Sequence, residues 1–582
     1  MPRLRFVPTA AAVAAFAFLS AHSPAQTLKP GPQVLTFFSE IDDSDQPYAI
    51  YLPKDFNAKR KYPLVISLHG AGSNHRLNLR RVFGKSNQGE ENDVEASRSF
   101  PEWADVDFIV ASPLARGTMG YQGAAEKDVY DVLADVKSRF PIDDDRVYLT
   151  GLSMGGGGTL WLGLSRPDIW AAIAPVCPAP PAETGELALN ALNIPIHFFQ
   201  GGDDPVVKPE GTREWARKLK EFGTAVEYTE YPGVKHNSWE DAYKDGAVFK
   251  WFGRFRRNRF PDRVRFVTSR YKYDRAYWVA VDRLTPGTTA AIDAEFIASN
   301  ALVITTSGLG AFTLELKGHP KLKPERPFTV QVDGASFNRP AAETISFVKR
   351  DGVWTAGKAE PPPESKARGL EGPLGEALAG RHLYVYGTAD NPSREELQAR
   401  REIAAKAADW SSGRGRLLIF PRVAADKDVR PSDFQSSNLI LFGTRETNGV
   451  IARFADRLPL EFRAPAEGYG LAYIFPIDGR YVVVASGLPW WTPPPVPAPG
   501  TPADPVPGAA PAAAANPPAR RLSFASGAAL ALNNFGDFLL FKDSPATPLA
   551  EGRFDGDWKL TAADADKLAA SGVVLVKSGA VK

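Results

Sequence analysis

Short apolar runs alternate with amphipathic stretches from about residue 30 to residue 262. Such runs are typical of strands buried on both faces, so the pattern predicts an α/β domain with a mostly parallel sheet. Apolar residues at helical spacing over 129–140 predict a helix. Pro141 and the aspartates at 143–145 should end this helix, and the aspartates should form a turn before the next strand. The predicted strands are 64–68, 108–112, 146–150, 171–176, 196–199 and 226–231.

The pattern changes after residue 262 and divides the rest of the chain. Short alternating segments separated by Gly, Pro and Asn over 263–355 predict a small antiparallel β-domain of the sandwich type. Residues 356–374 are polar and contain prolines, which suits a linker. Apolar strands and amphipathic helices over 375–545 predict a second, smaller α/β domain. A low-complexity Pro/Ala-rich insert at 492–519 interrupts it, and a C-terminal extension, 546–582, follows it.

The first residues predict an exported protein. Arg3 and Arg5 precede an almost wholly apolar run at 7–19, and small residues then form a cleavage site after Ala25. The apolar run of about 13 residues is shorter than the roughly 20 that span a bilayer. We therefore expect a cleaved signal peptide at 1–25, no stable membrane anchor, and a periplasmic or secreted protein.

Composition and charge narrow the function classes. The chain has 582 residues, too many for one hydrophobic core, and its 69 basic and 67 acidic residues give a formal net charge of +2. This balance gives no indication of a nucleic-acid partner and leaves the oligomeric state undetermined. The single cysteine, Cys177, excludes an intramolecular disulfide and a cysteine-based metal cluster. Because neither a metal-ligand set nor a dinucleotide-binding loop is evident, we expect no metal and no cofactor.

The strongest local signal is the pentapeptide Gly-Leu-Ser-Met-Gly at 151–155. It directly follows the predicted strand 146–150 and precedes a glycine-rich, helix-compatible stretch. A serine at such a sharp strand-to-helix turn has strained backbone angles, and flanking glycines relieve the crowding. The turn lifts the hydroxyl above the sheet edge and aims a helix N-terminus at it, which favours developing negative charge. This context predicts Ser153 as a nucleophile.

A serine hydroxyl is a poor nucleophile without a base, and the chain offers seven histidines. His197 lies within an apolar strand and His69 in a glycine-rich loop, where both fit structural roles. Three others lie in the signal region or in the accessory regions. His236 follows the last predicted strand of the first domain and comes after Ser153 in the chain order Ser, Asp, His. We therefore predict His236 as the base.

A carboxylate should hold the imidazole in the correct tautomer and stabilise the imidazolium. The turn after strand 196–199 offers two candidates, Asp203 and Asp204. Pro205 stiffens the turn immediately after Asp204, which favours Asp204 as the third member. Asp203 remains the alternative.

An acyl-transfer site also needs hydrogen-bond donors for the tetrahedral oxyanion. We predict the backbone N–H of Met154, the residue after the nucleophile, as one donor. The glycine-rich loop after strand 64–68 supplies the other, with Ala71 as the choice. His75 is a candidate for the pocket mouth. Trp239 is a candidate for stacking on a sugar or aromatic acyl group, with core packing as its alternative.

Two further side-chain clusters have structural interpretations that we favour. The first cluster consists of Arg76, Arg80 and Arg81. It could bind an acidic substrate, but a solvated helix face explains it better. The second invites a carbohydrate-binding hypothesis, and it consists of Tyr271, Tyr273, Tyr277 and Trp278. Because strands are enriched in aromatic residues for packing reasons alone, packing is the preferred interpretation of the second cluster.

Five stretches carry a family resemblance: LHGAGSN (68–74), DDRVYLTGLSMGG (144–156), AAIAPVC (171–177), GGDDPVV (201–207) and YPGVKHNSW (231–239). Through them, residues 48–252 resemble an esterase of the α/β-hydrolase superfamily. The branch is the one shared by secreted acyl esterases, polyhydroxybutyrate-depolymerase-like enzymes and prolyl-oligopeptidase-type peptidases. The resemblance implies Ser153, Asp204 and His236 as a catalytic triad, with the amides of Ala71 and Met154 as oxyanion donors.

Three hypotheses for the function follow. The primary one is a serine hydrolase that cleaves carboxylic esters through an acyl-enzyme, on substrates that include polymeric or carbohydrate-linked esters. The first alternative is a serine peptidase of the prolyl-oligopeptidase type with the same triad. The second is a glycan- or partner-binding protein in which the hydrolase domain is mainly a scaffold.

Overall fold

The computed structural model describes residues 29–285, 287–411, 417–463, 466–494 and 527–582. The predicted signal peptide and most of the predicted Pro/Ala-rich insert lie outside these residues. Within the described ranges, no helix is both long enough and apolar enough to cross a membrane.

The first part of the chain forms an eight-stranded sheet in the order β1-β2-β4-β3-β5-β6-β7-β8. The pairs from β4 to β8 are parallel, whereas β1 and β2 pair antiparallel at one edge. The strands are β1 (Gly31–Ser39), β2 (Ser44–Leu52), β3 (Tyr62–Leu68), β4 (Ile109–Pro113), β5 (Ile142–Leu152), β6 (Ala172–Val176), β7 (Ile196–Gly201) and β8 (Val226–Tyr231). The helices are α1 (His75–Val82), α2 (Asp93–Ala96), α3 (Ala124–Arg139), α4 (Met154–Ser165), α5 (Pro209–Glu221), α6 (Trp239–Ala242) and α7 (Ala247–Phe252).

The predicted α/β class is confirmed, and each of the six predicted strands coincides with one of β3 to β8. Apolar side chains bury both faces of the sheet in two separate core clusters, as expected for continuous apolar strands. The antiparallel hairpin β1–β2 was not predicted. Only some residues of β1 are buried, and Phe38 is exposed, so its pattern lacks the continuous apolar run of a central strand.

The aspartate run at 143–145 does not form the predicted turn. It lies inside β5, which begins at Ile142. The pairing with β3 is irregular here, since Ile142 faces Tyr62 while Val147 already faces Leu64. The intervening residues bulge out of the ladder, and their carboxylates bind arginines that follow α7. These ion pairs join Arg256 to Asp143 and both Arg257 and Arg259 to Asp145.

Two five-stranded sheets follow, in the orders β10-β11-β14-β17-β18 and β16-β15-β13-β12-β9. They enclose one hydrophobic core between them. All pairs are antiparallel except β13 with β15, so the predicted antiparallel region contains one parallel pair. The strands are β9 (Arg263–Thr268), β10 (Arg275–Ala276), β11 (Val279–Leu284), β12 (Ala290–Ala298), β13 (Ala301–Ser307), β14 (Leu309–Glu315), β15 (Pro327–Val332), β16 (Ala335–Pro340), β17 (Thr344–Arg350) and β18 (Val353–Ala356).

The third region is a seven-stranded mixed sheet in the order β20-β19-β21-β24-β23-β25-β26, with a separate pair β22–β27. The strands are β19 (His382–Tyr386), β20 (Arg422–Ala425), β21 (Asn438–Phe442), β22 (Leu460–Phe462), β23 (Tyr469–Ile477), β24 (Arg480–Gly487), β25 (Phe538–Lys542), β26 (Pro548–Gly552) and β27 (Val574–Val576). The helices are α8 (Arg394–Ala407), α9 (Pro431–Ser436), α10 (Gly449–Phe454) and α11 (Ala562–Ala570). Short 3₁₀ segments lie at Ala182–Asn193, Lys244–Gly246, Tyr271–Tyr273, Leu374–Leu378, Asp426–Asp428, Leu530–Asn534 and Ser578–Ala580.

The last residues of the chain pack into this third region. β26 pairs with β25, and Phe554, Trp558 and Leu568 belong to the same core cluster as β19 to β25. The segment 546–582 therefore contributes a strand and core side chains to the mixed sheet.

A buried arginine connects the first sheet to the third region. The Arg116 side chain is fully buried and forms ion pairs with Asp42 at 2.8 Å and with Asp128 at 2.7 Å, both also buried. Its Nη1 donates to the carbonyl of Leu418 at 2.8 Å, and the backbone N–H of Phe420 donates to Asp42 at 3.0 Å. Burial raises the pKa of Asp128 to about 6, although Arg116 opposes the shift. The two regions therefore share a desolvated ionic contact.

Replacing Arg116 with alanine is expected to lower the free energy of unfolding by about 3–5 kcal/mol, because two buried carboxylates lose their partner. Urea denaturation of the variant measures the change. Arg60→Ala is the matched control, since the Arg60–Asp107 pair is about half exposed on each side, and its loss should cost no more than about 1 kcal/mol. Equal effects of the two substitutions would contradict the assignment.

Candidate active site

Ser153 occupies the sharp turn between β5 and α4. Its backbone angles are φ 55° and ψ −116°, a conformation that a non-glycine residue adopts only under strain. The N–H of Ser153 donates to the carbonyl of Val176 at 2.9 Å, and its carbonyl accepts from Gly157 at 2.9 Å. These bonds hold the turn at the carboxyl ends of the parallel strands, where α/β folds place ligand sites.

Glycines allow this turn because the backbones touch directly. A Cβ on Gly151 would lie 2.4 Å from the carbonyl oxygen of Gly155, and one on Gly155 would lie 2.2 Å from that of Leu68. A Cβ on Gly156 would lie 2.3 Å from the Val176 carbonyl oxygen. No side chain fits at these distances, so the first turn of α4 rests on the backbone at the ends of β3 and β6.

The structure brings His236 to Ser153. His236 lies in the loop after β8, and its Nε2 is 3.0 Å from the Oγ of Ser153. On the other side of the ring, Nδ1 lies 2.8 Å from Oδ2 of Asp204. The imidazole thus bridges a hydroxyl and a carboxylate, with 23% of its side chain exposed.

Asp204 is the carboxylate that reaches His236, whereas Asp203 is exposed. The Asp204 side chain is fully buried, and its Oδ1 accepts from the backbone N–H groups of Val206 at 2.8 Å and Val207 at 2.9 Å. These bonds leave Oδ2 directed at the imidazole. The carboxylate is therefore held rigidly by its own turn.

Gln200 supports this carboxylate and was not predicted. It is buried at the end of β7, and its Nε2 lies 3.2 Å from Oδ2 of Asp204 and 3.0 Å from the carbonyl of Val207. Its Oε1 accepts from the hydroxyl of Thr212 at 2.8 Å. In the sequence, Gln200 is marked by being a polar residue near the end of an apolar strand. That position does not indicate which carboxylate its side chain contacts.

The loop after β3 lies beside the nucleophile. A Cβ on Gly70 would be 3.5 Å from the Cβ of Ser153, and Ala71, the next residue, is exposed. Gly72 N–H donates to the hydroxyl of Thr118 at 2.8 Å, which ties down the loop. Met154 is the first residue of α4, so its N–H has no acceptor within the helix. The loop thus brings Gly70 next to Ser153, with Ala71 following Gly70 in the chain, and Met154 directly follows Ser153.

His69 anchors that loop from inside. Both ring nitrogens lie 2.8 Å from carbonyl oxygens, those of Gly70 and Leu114, and the Tyr121 hydroxyl donates to the His69 carbonyl at 2.9 Å. Burial lowers the pKa of His69. These contacts agree with a structural role.

His75 and Trp239 occupy different surroundings. His75 begins α1, and its Nδ1 is buried without a hydrogen-bond partner among the described residues. Burial lowers the pKa of His75 to about 4, which keeps its ring neutral near pH 7. Trp239 meets the ring of His236 edge-on, with ring centroids 5.6 Å apart. Of these two residues, Trp239 is the one that contacts a central side chain, the imidazole of His236.

The prediction of a solvated arginine face on α1 is wrong for two of its three residues. Arg80 is buried and pairs with Glu91 at 2.7 Å. The Arg81 side chain, 13% exposed, lies over the ring of Trp239 with its guanidinium carbon 5.2 Å from the centroid. Because α1 packs against the sheet and against α6, arginines that the sequence alone assigns to an exposed face are buried.

Cys177 lies against the His236 loop. Its Sγ is 3.6 Å from the carbonyl of His236. The Sγ, a carboxylate oxygen of Asp204 and a ring nitrogen of His236 all lie within 4.8 Å of one another. Burial raises the pKa of the Cys177 thiol to about 12, which opposes the thiolate that a metal ion requires. Because Asp204 also accepts several hydrogen bonds, the three residues fit hydrogen-bonded support of the imidazole better than metal coordination.

Comparison with known proteins places the similarity in the first region of the chain. Residues 39–218 match the model of the Esterase family, described as "Putative esterase". Feruloyl esterase B of Piromyces equi is 26% identical over 170 residues, covering 28% of this chain and 30% of that protein. Probable feruloyl esterase C of Aspergillus niger is 25% identical over 170 residues, covering 27% of this chain and 57% of that protein.

The match to solved structures is partial as well. A thermostable esterase is 28% identical with a TM-score of 0.31, covering 39% of this chain and 63% of its own. The chain spans less than two thirds of the length of the curated relatives it matches. Within the matched region, the predicted resemblance to α/β-hydrolase-type serine esterases is confirmed.

Gly155→Ala is expected to destabilise the protein by about 3 kcal/mol or more, because the new Cβ would overlap the carbonyl of Leu68. Thermal unfolding followed by circular dichroism measures this. Gly185→Ala is the control, since a Cβ there meets no atom within 4 Å. A Gly155→Ala variant as stable as the control would refute the backbone contact.

Cys177 should resist iodoacetamide at pH 8 in the folded protein and react readily in guanidinium, because a pKa of about 12 leaves almost no thiolate. It is the only cysteine, so intact-mass spectrometry reads the modification directly. Fast labelling of the native protein would contradict its burial.

Proposed function

We propose that this protein hydrolyses carboxylic esters through an acyl-enzyme on Ser153. The observation that carries the proposal is the continuous hydrogen-bonded chain from Ser153 through His236 to Asp204. Nucleophile, base and orienting carboxylate are the parts that acyl transfer by serine requires. The esterase similarity of residues 39–218 supports the same reaction class.

In the acylation step, the Oγ of Ser153 attacks the ester carbonyl carbon while Nε2 of His236 takes its proton. The resulting imidazolium is stabilised by Asp204, which stays ionised. The tetrahedral oxyanion accepts from the amides of Ala71 and Met154 in this proposal. The alcohol then leaves with the proton from His236.

In the deacylation step, a water molecule attacks the acyl-enzyme and gives its proton to His236. Collapse of the second tetrahedral intermediate returns the proton to Ser153 and releases the acid. Gln200 is a positioning residue here, since it holds Asp204 and does not reach the reacting atoms.

The substrate proposal is an ester with a bulky acyl or alcohol part, including carbohydrate-linked or polymeric esters. Trp239 supports it, because its partly exposed indole meets His236 edge-on and has Arg81 over its ring, which puts an aromatic side chain next to the base. Two of the curated relatives are named as feruloyl esterases, and these names agree with this class. The predicted signal peptide supports export to the periplasm or the medium.

Ser153→Ala should reduce hydrolysis of p-nitrophenyl acetate by roughly 10⁴-fold or more and abolish labelling by a fluorophosphonate probe, because the attacking oxygen is removed. Ser138→Ala, on the surface of α3, is the control and should keep both signals. A folded wild-type protein that is not labelled at Ser153 would exclude a serine hydrolase mechanism.

Parallel assays with methyl ferulate, acetylated sugars and proline-containing peptides distinguish esterase from peptidase. Turnover of the peptides alone would overturn the ester proposal.

A further inference from the structure

The indole of Trp239 contacts both His236 and Arg81. It meets the imidazole of His236 with ring centroids 5.6 Å apart and ring planes at 87° to each other. The guanidinium carbon of Arg81 lies over the indole, 5.2 Å from its centroid. A cation over an indole is attracted by the electrons of the ring, and more strongly where the cation is shielded from water. Because the Arg81 side chain is only 13% exposed, this contact holds the indole beside the base.

Arg81 is itself held by Asp93. Its Nη2 lies 3.2 Å from Oδ1 and 3.3 Å from Oδ2 of that carboxylate. Asp93 begins α2, and its Oδ1 also accepts from Nδ2 of Asn87 at 2.8 Å. The anchor of the guanidinium therefore lies in residues 84–98, which we call the α2 segment.

The other two arginines of α1 fasten the α2 segment to that helix. Nη1 of Arg80 donates to the carbonyl of Ala96 at 2.8 Å, and Nε of Arg76 donates to the carbonyl of Ser97 at 2.6 Å. Two of the three arginines thus fix the segment, and Arg81 connects it to the indole. The arginine cluster that the sequence showed on α1 is in this way joined to the candidate active site.

The helix that carries Trp239 is fixed to the sheet. Tyr243 directly follows α6, and its hydroxyl lies 2.8 Å from the hydroxyl of Thr150 in β5. Both residues are fully buried. The backbone of α6 is therefore held in place, and the contact with Arg81 is what holds the indole itself.

The route of the proton indicates which half of an ester meets this indole. A general acid must lie within hydrogen-bond reach of the atom that it protonates. In the proposed acylation step, His236 gives its proton to the oxygen of the leaving alcohol, so a side chain that contacts the imidazole lies next to the alcohol part. The carbonyl oxygen instead faces the proposed donors Ala71 and Met154, which belong to the loop after β3 and to α4.

We propose that Arg81 is a positioning residue that holds the Trp239 indole as the wall against which the alcohol part of the ester binds. This inference rests on the proposed hydrolysis at Ser153 and adds which half of the substrate the indole recognises. Esters whose alcohol part carries a ring are the expected substrate class, because a ring can pack against the partly exposed indole.

Benzyl acetate and methyl phenylacetate test this, because they are isomers that carry the same ring on the alcohol side and on the acyl side, respectively. Hydrolysis of both by the full chain is followed in a pH-stat. In Arg81→Gln, the KM for benzyl acetate should rise about 5-fold, while the KM for methyl phenylacetate and both kcat values should stay within about 2-fold of wild type. Equal changes for the two isomers, or a change in kcat alone, would overturn the proposal.

Asp93→Asn tests the same contact without altering the arginine. The Asp93 side chain is 54% exposed, and an asparagine can still accept from Asn87, so this variant should fold even where Arg81→Gln does not. Its KM for benzyl acetate should rise about 3-fold, because an anchoring charge is lost. Arg453→Gln is the matched control, since the guanidinium carbon of Arg453 lies 4.3 Å from the ring centroid of Phe434 in the third region. Equal KM values for benzyl acetate in Asp93→Asn and Arg453→Gln would contradict the role of the anchor.

Trp239→Ala, alone and combined with Arg81→Gln, shows whether the arginine acts through the indole. The double variant should have the same KM for benzyl acetate as Trp239→Ala, because no ring remains for the guanidinium to hold. A further rise in the double variant would overturn the proposal. A wild-type protein that hydrolyses neither ester and is not labelled at Ser153 would overturn the proposed function and this inference together. An active wild-type protein whose KM values are insensitive to these substitutions would overturn this inference alone.

Discussion

The backbone contact beneath the first turn of α4 is the constraint on which the rest of the site depends. Gly155 lies against the carbonyl of Leu68 and Gly156 against that of Val176, at distances that only hydrogen atoms can fill. This contact holds Ser153 in a strained conformation and sets the height of its hydroxyl above the sheet. The strain is sustained because β3, β6 and residues 147–152 of β5 are buried and cannot relax.

A second backbone contact positions the other half of the site. A Cβ on Gly201 would lie 2.1 Å from the carbonyl oxygen of Lys235, so the end of β7 touches the loop that carries His236. The turn at Asp204 closes on its own amides. Gln200 of β7 supports it, and Thr212 of α5 in turn binds Gln200. The imidazole is therefore held from both sides before any substrate arrives, which is the preorganisation that electrostatic catalysis requires.

Buried polar contacts join the three regions in addition to apolar surface, and a buried ion pair holds the segment 356–374 to the third region. Arg116 reaches across to Leu418, Lys272 reaches Glu126, and Lys366 binds Asp537 where both side chains are fully buried. Burial lowers the pKa of Lys366 and raises that of Asp537, so each depends on the other to stay charged. Such pairs contribute little net stability but penalise wrong arrangements, since a displaced partner leaves a buried charge.

What the sequence determined by itself is local. The strand, the Gly-x-Ser-x-Gly turn and the helix after it are neighbours in the chain, so their backbone requirements appear directly as residue types, and Ser153 followed from them. His236 followed from its place after the last predicted strand and from the chain order Ser, Asp, His. Pro205 favoured Asp204 over Asp203, and Asp203 stayed an alternative because both lie in one turn and burial is what distinguishes them. The arginines of α1 were misjudged for the same reason, since a polar side chain can be buried when its partner is distant in sequence. The contacts of Gln200 with Asp204 and of Glu126 with Lys272 were decided by tertiary structure alone. Each is defined by a neighbour that the folding of separate strands and regions brings close, and no spacing along the chain encodes that distance.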